Sequence, residues 1–313
     1  MLFKSNSFKI FFYIFLIFPF LVNSQNIPKP IGKPQVIKKK YSELFHEVKK
    51  QNWQIAKSIA ADYNNKNLIT YIEWLDITRA GNKHSFDHLT NFLENNPNWP
   101  SEEIIKKKIE SSITSTDSSE KILDWFKKNS PLTVKGEIEL FEAKLRLGLI
   151  ENKAESIRNI WINKNLTYQQ QRYFIKKYSK YWTNEDNWKR FDRLLWDGKT
   201  TSARRTLKRM HGDRRKLGNA RLALSTRAGN VSGLIKQVPN YLKSDPGLIY
   251  ERMRWRRKAK LDSAAEFLIN PPEEIKNHRN WWINARIVIR RLINKKNYIK
   301  AYQLLKNHKI PLT

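Results

Sequence analysis

Two short amphipathic segments joined by a tight turn, within residues 188–210, constrain the fold of this chain more than any other feature. In the first segment, Phe191, Leu194 and Leu195 are spaced i, i+3 and i+4, so they lie on one face of a helix. The turn that follows is Asp197-Gly198. Glycine adopts the left-handed conformation that ends a helix without a Cβ penalty. The pattern therefore predicts a helix that stops at this turn.

The second segment repeats the helical spacing, with Ala203, Leu207 and Met210 on one face. A residue as small as Ala203 lets the partner helix approach closely. A hairpin of two short helices cannot bury its apolar face alone, so it has to stack on neighbouring hairpins, as in a solenoid. The segment therefore predicts one unit of a helical repeat.

Small alanines at the start of an apolar helical pattern recur along the chain, at Ala154, Ala264 and Ala301 as well as Ala203, but at unequal intervals. No β alternation of useful length occurs, and glycine (10 residues) and proline (12 residues) are too scarce for many tight β-turns. The sequence thus predicts an all-α fold. We expect a right-handed superhelix, or solenoid, of stacked helical hairpins with a degenerate repeat and roughly fifteen helices.

The N-terminus, residues 1–24, has the composition of a secretory signal peptide. Lys4 and Lys9 precede an apolar run over residues 10–22, and Ser24 is a small residue at a plausible cleavage site. The run is short for a membrane span, although an uncleaved N-terminal anchor remains the alternative. We expect export to the periplasm and, after cleavage, no membrane span, because no later stretch is comparably apolar.

The mature chain divides into two parts by composition. Residues 25–40 contain three prolines and a run of three lysines, which is typical of an extended linker. Residues 41–313 carry the helical patterns and are predicted to form the α-superhelical domain.

The chain is strongly basic, with a formal net charge of +31. Such a surface attracts polyanions: nucleic acid, anionic lipid or an anionic polymer. A generic basic surface that follows from an AT-rich coding sequence is the alternative. Export argues against nucleic acid as the partner, so we expect none and favour the cell wall.

Candidate catalytic and metal sites are few. His84 and His88 are spaced i, i+4, so both could face one metal ion on a helix. No third potential ligand lies at a spacing typical of a metal site. Cysteine is absent, which excludes disulfides, thiolate ligands and cysteine nucleophiles. Glycine-rich phosphate loops and the nucleophile-elbow motif are absent too. We therefore expect no metal and no cofactor.

Two basic runs, over residues 204–216 and 252–260, are the remaining candidates for ligand contact. Arginine forks bind carboxylates and phosphates. In the alternative interpretation, the runs lie on outer helix faces, either paired with acids or extended over apolar surface. The second run has interleaved aromatic residues and supplies the candidate substrate-binding residues Arg252, Arg254, Arg256 and Arg257.

Several short motifs occur in a defined order from about residue 45 to the C-terminus. They are Phe92–Pro100, Trp125-Phe126, Pro131-Leu132, Arg190–Trp196, Ala220–Leu224, Val238-Pro239, Asp245–Arg252, Trp255–Arg257, Trp281-Trp282 and Ala301-Tyr302. Their order resembles the N-terminal helical domain of soluble lytic murein transglycosylases of the alphaproteobacterial type.

The resemblance implies a periplasmic protein whose U-shaped superhelix holds a lysozyme-like catalytic domain and admits peptidoglycan glycan strands. Enzymes of this family cleave between N-acetylmuramic acid and N-acetylglucosamine, using one glutamate as acid and then base, without metal or cofactor. In the family that glutamate belongs to a Glu-Ser pair followed by a Gly-Leu-Met-Gln segment. Here Glu110-Ser111 and Glu155-Ser156 are the only Glu-Ser pairs, and neither leads into such a segment.

No catalytic residue is therefore assigned, and whether this chain is part of an active enzyme stays open. We expect the scaffold and substrate-engaging part of a lytic transglycosylase, inactive by itself, either as a fragment of a longer product or as a homologue that kept the scaffold alone. The alternative is an exported helical-repeat adaptor that binds another protein and does not act on glycan.

Overall fold

The computed structural model describes residues 34–309, with side chains described from Tyr41 onward. This range contains 17 α-helices and three short 3-10 helices, and no strand occurs in it. The all-α prediction is therefore confirmed, whereas the right-handed winding stays a prediction. The predicted signal peptide, residues 1–24, lies outside the described residues.

The helices fall into two compact units, residues 1–83 and 84–313. Within the described residues, the first unit contains α1 (Pro34–Lys50), α2 (Trp53–Ala61) and α3 (Lys66–Thr78). The helices of the second unit are α4 (Phe86–Asn95), α5 (Glu102–Ser112), α6 (Ser119–Lys128), α7 (Val134–Arg146), α8 (Lys153–Asn163), α9 (Tyr168–Tyr178), α10 (Asn184–Trp196), α11 (Thr200–Leu207), α12 (Gly212–Thr226), α13 (Val231–Lys236), α14 (Pro246–Lys258), α15 (Glu266–Ile269), α16 (His278–Asn294) and α17 (Tyr298–Asn307).

The first helix begins earlier than the composition indicates. Helix α1 starts at Pro34, so the predicted linker, residues 25–40, overlaps its first two turns. Proline is well tolerated at a helix start, because the first amide N–H groups have no partner within the helix and the fixed φ of proline suits the helix. The earlier part of the linker lies outside the described residues.

Three helices of the first unit share a small core. Leu44 of α1, Ala56 and Ala60 of α2 and Ile72 of α3 are fully buried against one another. The two alanines lie one turn apart, so α2 presents a flat face that its neighbours can approach closely.

The hairpin of α10 and α11 in the second unit has the predicted form. Helix α10 ends at Trp196, and Gly198 takes a φ of +72°, which a residue with a Cβ rarely adopts. Ala203 is fully buried where the two helices meet. Helix α11 ends at Leu207, one turn before Met210, yet Met210 is still buried in the same core.

The core of the second unit is a succession of clusters, each shared by neighbouring helices. One lies among α7, α8 and α9, a second is built mainly from α10, α11 and α12, and a third extends from α14 to α17. This arrangement suits stacked hairpins, each of which completes its burial on the next. No helix within residues 34–309 has the length and apolar character needed to cross a bilayer.

Candidate functional site

The four candidate arginines of α14 form two pairs with different surroundings. The guanidinium carbons of Arg252 and Arg256 lie 5.1 and 4.9 Å from the ring centroid of Phe267, on α15. The guanidinium groups of this pair therefore lie against an aromatic ring, as in the alternative of basic side chains extended over apolar surface. The other pair, Arg254 and Arg257, lines a pocket.

This pocket, which we call the α14 pocket, has a volume of about 410 Å³ and lies among the α10–α11 turn, α14 and α16. The helical spacing i, i+3 and i+4 brings Arg254, Arg257 and Lys258 to it from one helix. The other lining residues are Leu195, Trp196, Asp197, Gly198, Tyr250, Glu251, Asn280, Ile283 and Asn284.

The three cations of the pocket repel one another. Arg254 lowers the pKa of Lys258, and burial lowers it further. Burial is the main cause of the lowered pKa of Arg257, and the charge of Arg254 adds to it. A bound anion would relieve this repulsion, because opposite charges within a few ångströms favour the charged form of each group.

Two carboxylates offset the positive charge only in part. Glu251 is 3% exposed, and its Oε2 lies 3.0 Å from Nη1 of Arg254. Burial raises the pKa of Glu251, while the charge of Arg254 opposes the rise. Asp197 is paired with Arg193 at 2.9 Å. The charges of Arg257 and Lys258 are therefore available to an anionic ligand.

Neutral polar and aromatic groups form the rest of the wall. Trp196 and Tyr250 lie with their ring centroids 4.7 Å apart. The indole Nε1 of Trp196 is buried and has no hydrogen-bond partner. Asn284 accepts a hydrogen bond from Nε of Arg257 at 2.6 Å and donates to the Tyr250 hydroxyl at 3.3 Å. The pocket can thus hold a carboxylate or phosphate attached to a group with amide or apolar character.

The sequence indicated only one side of this pocket. The basic run over residues 252–260 contains Arg254, Arg257 and Lys258, and the spacing i, i+3 and i+4 brings them to one face of a helix. Trp196 and Asn284 come from helices distant in sequence, and no local pattern predicts that they meet α14.

Three cations of the first basic run have partners within the protein. Nε of Arg205 donates to Gln171 at 2.8 Å, and Nζ of Lys216 lies 3.0 Å from Asp213. The guanidinium of Arg214 lies over Trp188, 4.7 Å from the ring centroid. These contacts favour the interpretation of a paired outer face over that of a ligand site.

The two histidines of the i, i+4 pair lie at the N-terminal end of α4. The rings of His84 and His88 stack with centroids 5.1 Å apart. Within the described part of the chain, no group of three His, Asp or Glu side chains is placed to hold a metal ion. No metal site is assigned.

The glutamates of the two Glu-Ser pairs accept hydrogen bonds at the starts of helices. Glu110 is 1% exposed and accepts hydrogen bonds from the amides of Leu132 and Thr133 at 2.6 and 2.8 Å. The Thr133 hydroxyl donates to it as well, at 2.5 Å. Glu155 lies in the first turn of α8, where it accepts a hydrogen bond from the side chain of Asn152, the residue before that helix. Glu110 thus anchors the start of α7, and both carboxylates have local partners.

Comparison with models of protein families, with curated protein sequences and with solved structures finds no match for this chain. The function of this chain is therefore inferred from its own residues and from the chemistry of the α14 pocket.

Proposed function

We propose that this chain is the scaffold and substrate-engaging part of a peptidoglycan lytic transglycosylase, and that it does not cleave glycan by itself. The α14 pocket carries the proposal. Arg257 and Lys258 give it positive charge that its own carboxylates do not offset, beside the aromatic and amide groups of Trp196, Tyr250 and Asn284. The peptide stems of peptidoglycan offer matching groups, since they combine carboxylates with amides and small apolar side chains.

Two further observations support this function. The order of the short sequence motifs resembles the helical domain of that enzyme family, and the predicted signal peptide would place the chain in the periplasm with the wall polymer. A stacked-hairpin fold also suits an extended polymer, because repeat architectures present long continuous surfaces. We assign the reaction itself to a catalytic domain of the lysozyme-like type, since the glutamates of the Glu-Ser pairs here are engaged in local hydrogen bonds.

Co-sedimentation with purified sacculi tests the proposal. The full chain is mixed with untreated sacculi and with sacculi whose stem carboxylates have been converted to amides. We expect retention on the untreated material that weakens as salt is raised, because the contacts are ionic. Amidated sacculi should retain much less protein. Equal retention on both materials, or none on either, would overturn the proposal.

A second candidate function is that of an exported protein-binding adaptor, and one surface favours it. On helix α17, four large apolar or aromatic side chains are exposed: Tyr298, Ile299, Tyr302 and Leu305. Exposed apolar patches mark association sites. If the chain is an adaptor, it should not be retained on sacculi. It should instead associate through helix α17, and the double variant Ile299→Ser with Tyr302→Ser should abolish the association measured by analytical ultracentrifugation.

A further inference from the structure

A second pocket in the same unit has a different character. It has a volume of about 500 Å³ and lies among the end of α5, one side of α7 and one side of α9. Its charged and aromatic lining residues are Lys135, Glu139, Glu142, Arg146, Tyr173 and Lys177. We call it the Tyr173 pocket, because this tyrosine lines it and remains 44% exposed.

A buried carboxylate fixes the orientation of Tyr173. Glu142 is 3% exposed, and its Oε1 accepts hydrogen bonds from the hydroxyls of Tyr173 at 2.8 Å and Tyr178 at 2.5 Å. Its Oε2 accepts from Nζ of Lys177 at 2.5 Å. A charged acceptor forms stronger hydrogen bonds than a neutral one, so the phenol of Tyr173 is held firmly.

The network keeps both tyrosines protonated. Burial raises the pKa of Tyr173, and the hydrogen bond to Glu142 raises it further, against the effect of Lys177. Burial and the same carboxylate raise the pKa of Tyr178. Both phenols therefore remain hydrogen-bond donors to Glu142 at neutral pH. The hydrogen bond to Glu142 therefore favours a position of the exposed Tyr173 ring beside the pocket.

Two of the three cations around this ring form ion pairs. Lys177 neutralises Glu142, and Lys135 forms an ion pair with Glu139. Nε of Arg146 donates to the Ser119 hydroxyl at 2.7 Å. The pocket therefore offers many donors and acceptors, and its lining combines three cations with two carboxylates.

A neutral polyhydroxylated ligand matches such a lining. Each sugar hydroxyl both donates and accepts a hydrogen bond, so it can use either member of an ion pair without a charge of its own. The face of an aromatic ring carries the negative part of its quadrupole and suits the C–H groups on one side of a sugar ring.

We propose that the Tyr173 pocket binds a neutral saccharide, with one face of the sugar on the Tyr173 ring and its hydroxyls on Glu139, Lys135 and Arg146. This inference rests on the proposed function, in which wall polymer reaches this unit. It assigns the sugar and the peptide stem to different sites: the Tyr173 pocket takes the uncharged glycan, and the α14 pocket takes the carboxylates.

Titration calorimetry of the full chain with chitotetraose, a neutral tetramer of β-1,4-linked N-acetylglucosamine, tests the proposal. We expect binding that does not depend on salt. Tyr173→Ala should weaken it by about tenfold or more, since it removes the aromatic face. Tyr168→Ala is the matched control, because Tyr168 is an exposed tyrosine on the same helix that does not line the pocket. It should leave the affinity unchanged.

Hydroxyl-radical footprinting uses the wild-type chain, so its result does not depend on whether a variant folds. Chitotetraose should protect Tyr173 from oxidation and leave Tyr168 unprotected. Absence of chitotetraose binding, equal losses in the two variants, or equal protection of the two tyrosines would overturn the inference. If chitotetraose does not bind but the chain is retained on untreated sacculi and not on amidated ones, the proposed function still holds and only this inference fails. Salt-independent chitotetraose binding without any sacculus retention would overturn the proposed function instead.

Discussion

The guanidinium of Arg190 lies over the indole ring of Trp161, with its central carbon 4.5 Å from the ring centroid. Its Nη1 donates to the backbone carbonyls of Trp161 and Lys164, at the C-terminal end of α8. A helix end of this kind carries partial negative charge. Arg190 therefore joins α10 to α8 through carbonyl groups and an aromatic face, and burial lowers its pKa to about 9.

Replacement of this arginine should destabilise the protein. Arg190→Met keeps much of the side-chain volume but removes the Nη1 donor to the Trp161 and Lys164 carbonyls, the second of which also accepts from Arg193, so we expect the free energy of unfolding to fall by about 1–3 kcal/mol. Lys189→Met changes the neighbouring exposed side chain and should have an effect of less than about 0.5 kcal/mol. Urea denaturation of both variants measures the difference. Equal stabilities would show that the buried guanidinium does not hold the two helices together.

At Gly247, helix propensity alone predicts that alanine stabilises the protein, whereas we expect alanine to destabilise it. A Cβ at this residue would lie 2.0 Å from Nη2 of Arg221, which is 1% exposed and held by Asp192 at 2.7 Å. Although alanine favours a helix, Gly247→Ala should lower the free energy of unfolding by about 1–3 kcal/mol, because it displaces a buried guanidinium from its ion pair with Asp192.

The matched control for that substitution is Gly229→Ala, since a Cβ at Gly229 would meet nothing within 4 Å. It should leave stability nearly unchanged. Thermal unfolding followed by circular dichroism compares the two alanine variants. A stabilised Gly247→Ala would contradict the close approach of α14 to Arg221.

The Glu142 network should make the fold sensitive to alkali. The pKa of Tyr178 is raised in the folded state by burial and by its hydrogen bond to Glu142. A group whose pKa is raised on folding contributes stability that is complete below the unfolded pKa, which is about 10 for a phenol, and is lost as pH rises through the folded value.

Tyr178→Phe removes that titration. Above pH of about 10, the wild type should therefore lose stability more steeply than Tyr178→Phe. Equilibrium unfolding at a series of alkaline pH values gives the two slopes. Parallel pH profiles would show that the phenol is not protected in the folded state.

Glu110 should matter for stability. Glu110→Gln replaces one acceptor oxygen by an amide that faces the donors of Leu132 and Thr133, so we expect a loss of about 2 kcal/mol. Glu155→Gln, in the other Glu-Ser pair, changes an exposed side chain and should have little effect. Chemical denaturation of the two variants checks this. A neutral Glu110→Gln would remove the evidence that this carboxylate anchors α7.

Local patterns predicted the hairpins because apolar spacing and glycine have local consequences. Phe191, Leu194 and Leu195 are buried on one face of α10, and Gly198 ends the hairpin turn as expected. Helix caps were less predictable. Ser118 accepts a hydrogen bond from the amide of Lys121, whereas Ser101, the residue before α5, has a φ of +67° and makes no such bond. A capping side chain needs extended backbone, which the sequence at this serine did not reveal.

The candidate site was predictable only within one helix. The sequence named Arg254 and Arg257 among four candidate arginines of one basic run, but the pocket is completed by Trp196 of α10 and Asn284 of α16. The ring of Phe267 lies beside Arg252 and Arg256 for the same reason, which is the packing of distant segments. The Tyr173 pocket left no signal in the sequence, since Glu142 and Tyr173 belong to different helices.

Binding of wall polymer through the α14 pocket is tested most directly by the affinity for purified sacculi of two double variants with equal net charge. Arg257→Gln with Lys258→Gln removes the two cations that remain available in the pocket, whereas Arg252→Gln with Arg256→Gln removes the pair beside Phe267. Circular dichroism confirms that each variant is folded.

We expect the first variant to lose affinity by about tenfold or more, which corresponds to about 1.4 kcal/mol, and to show a weaker dependence on salt. The second variant should bind like the wild type within about twofold, a difference of about 0.4 kcal/mol. Equal losses in both variants would show that net charge alone attracts the chain to the wall, and would contradict a specific site beside α14.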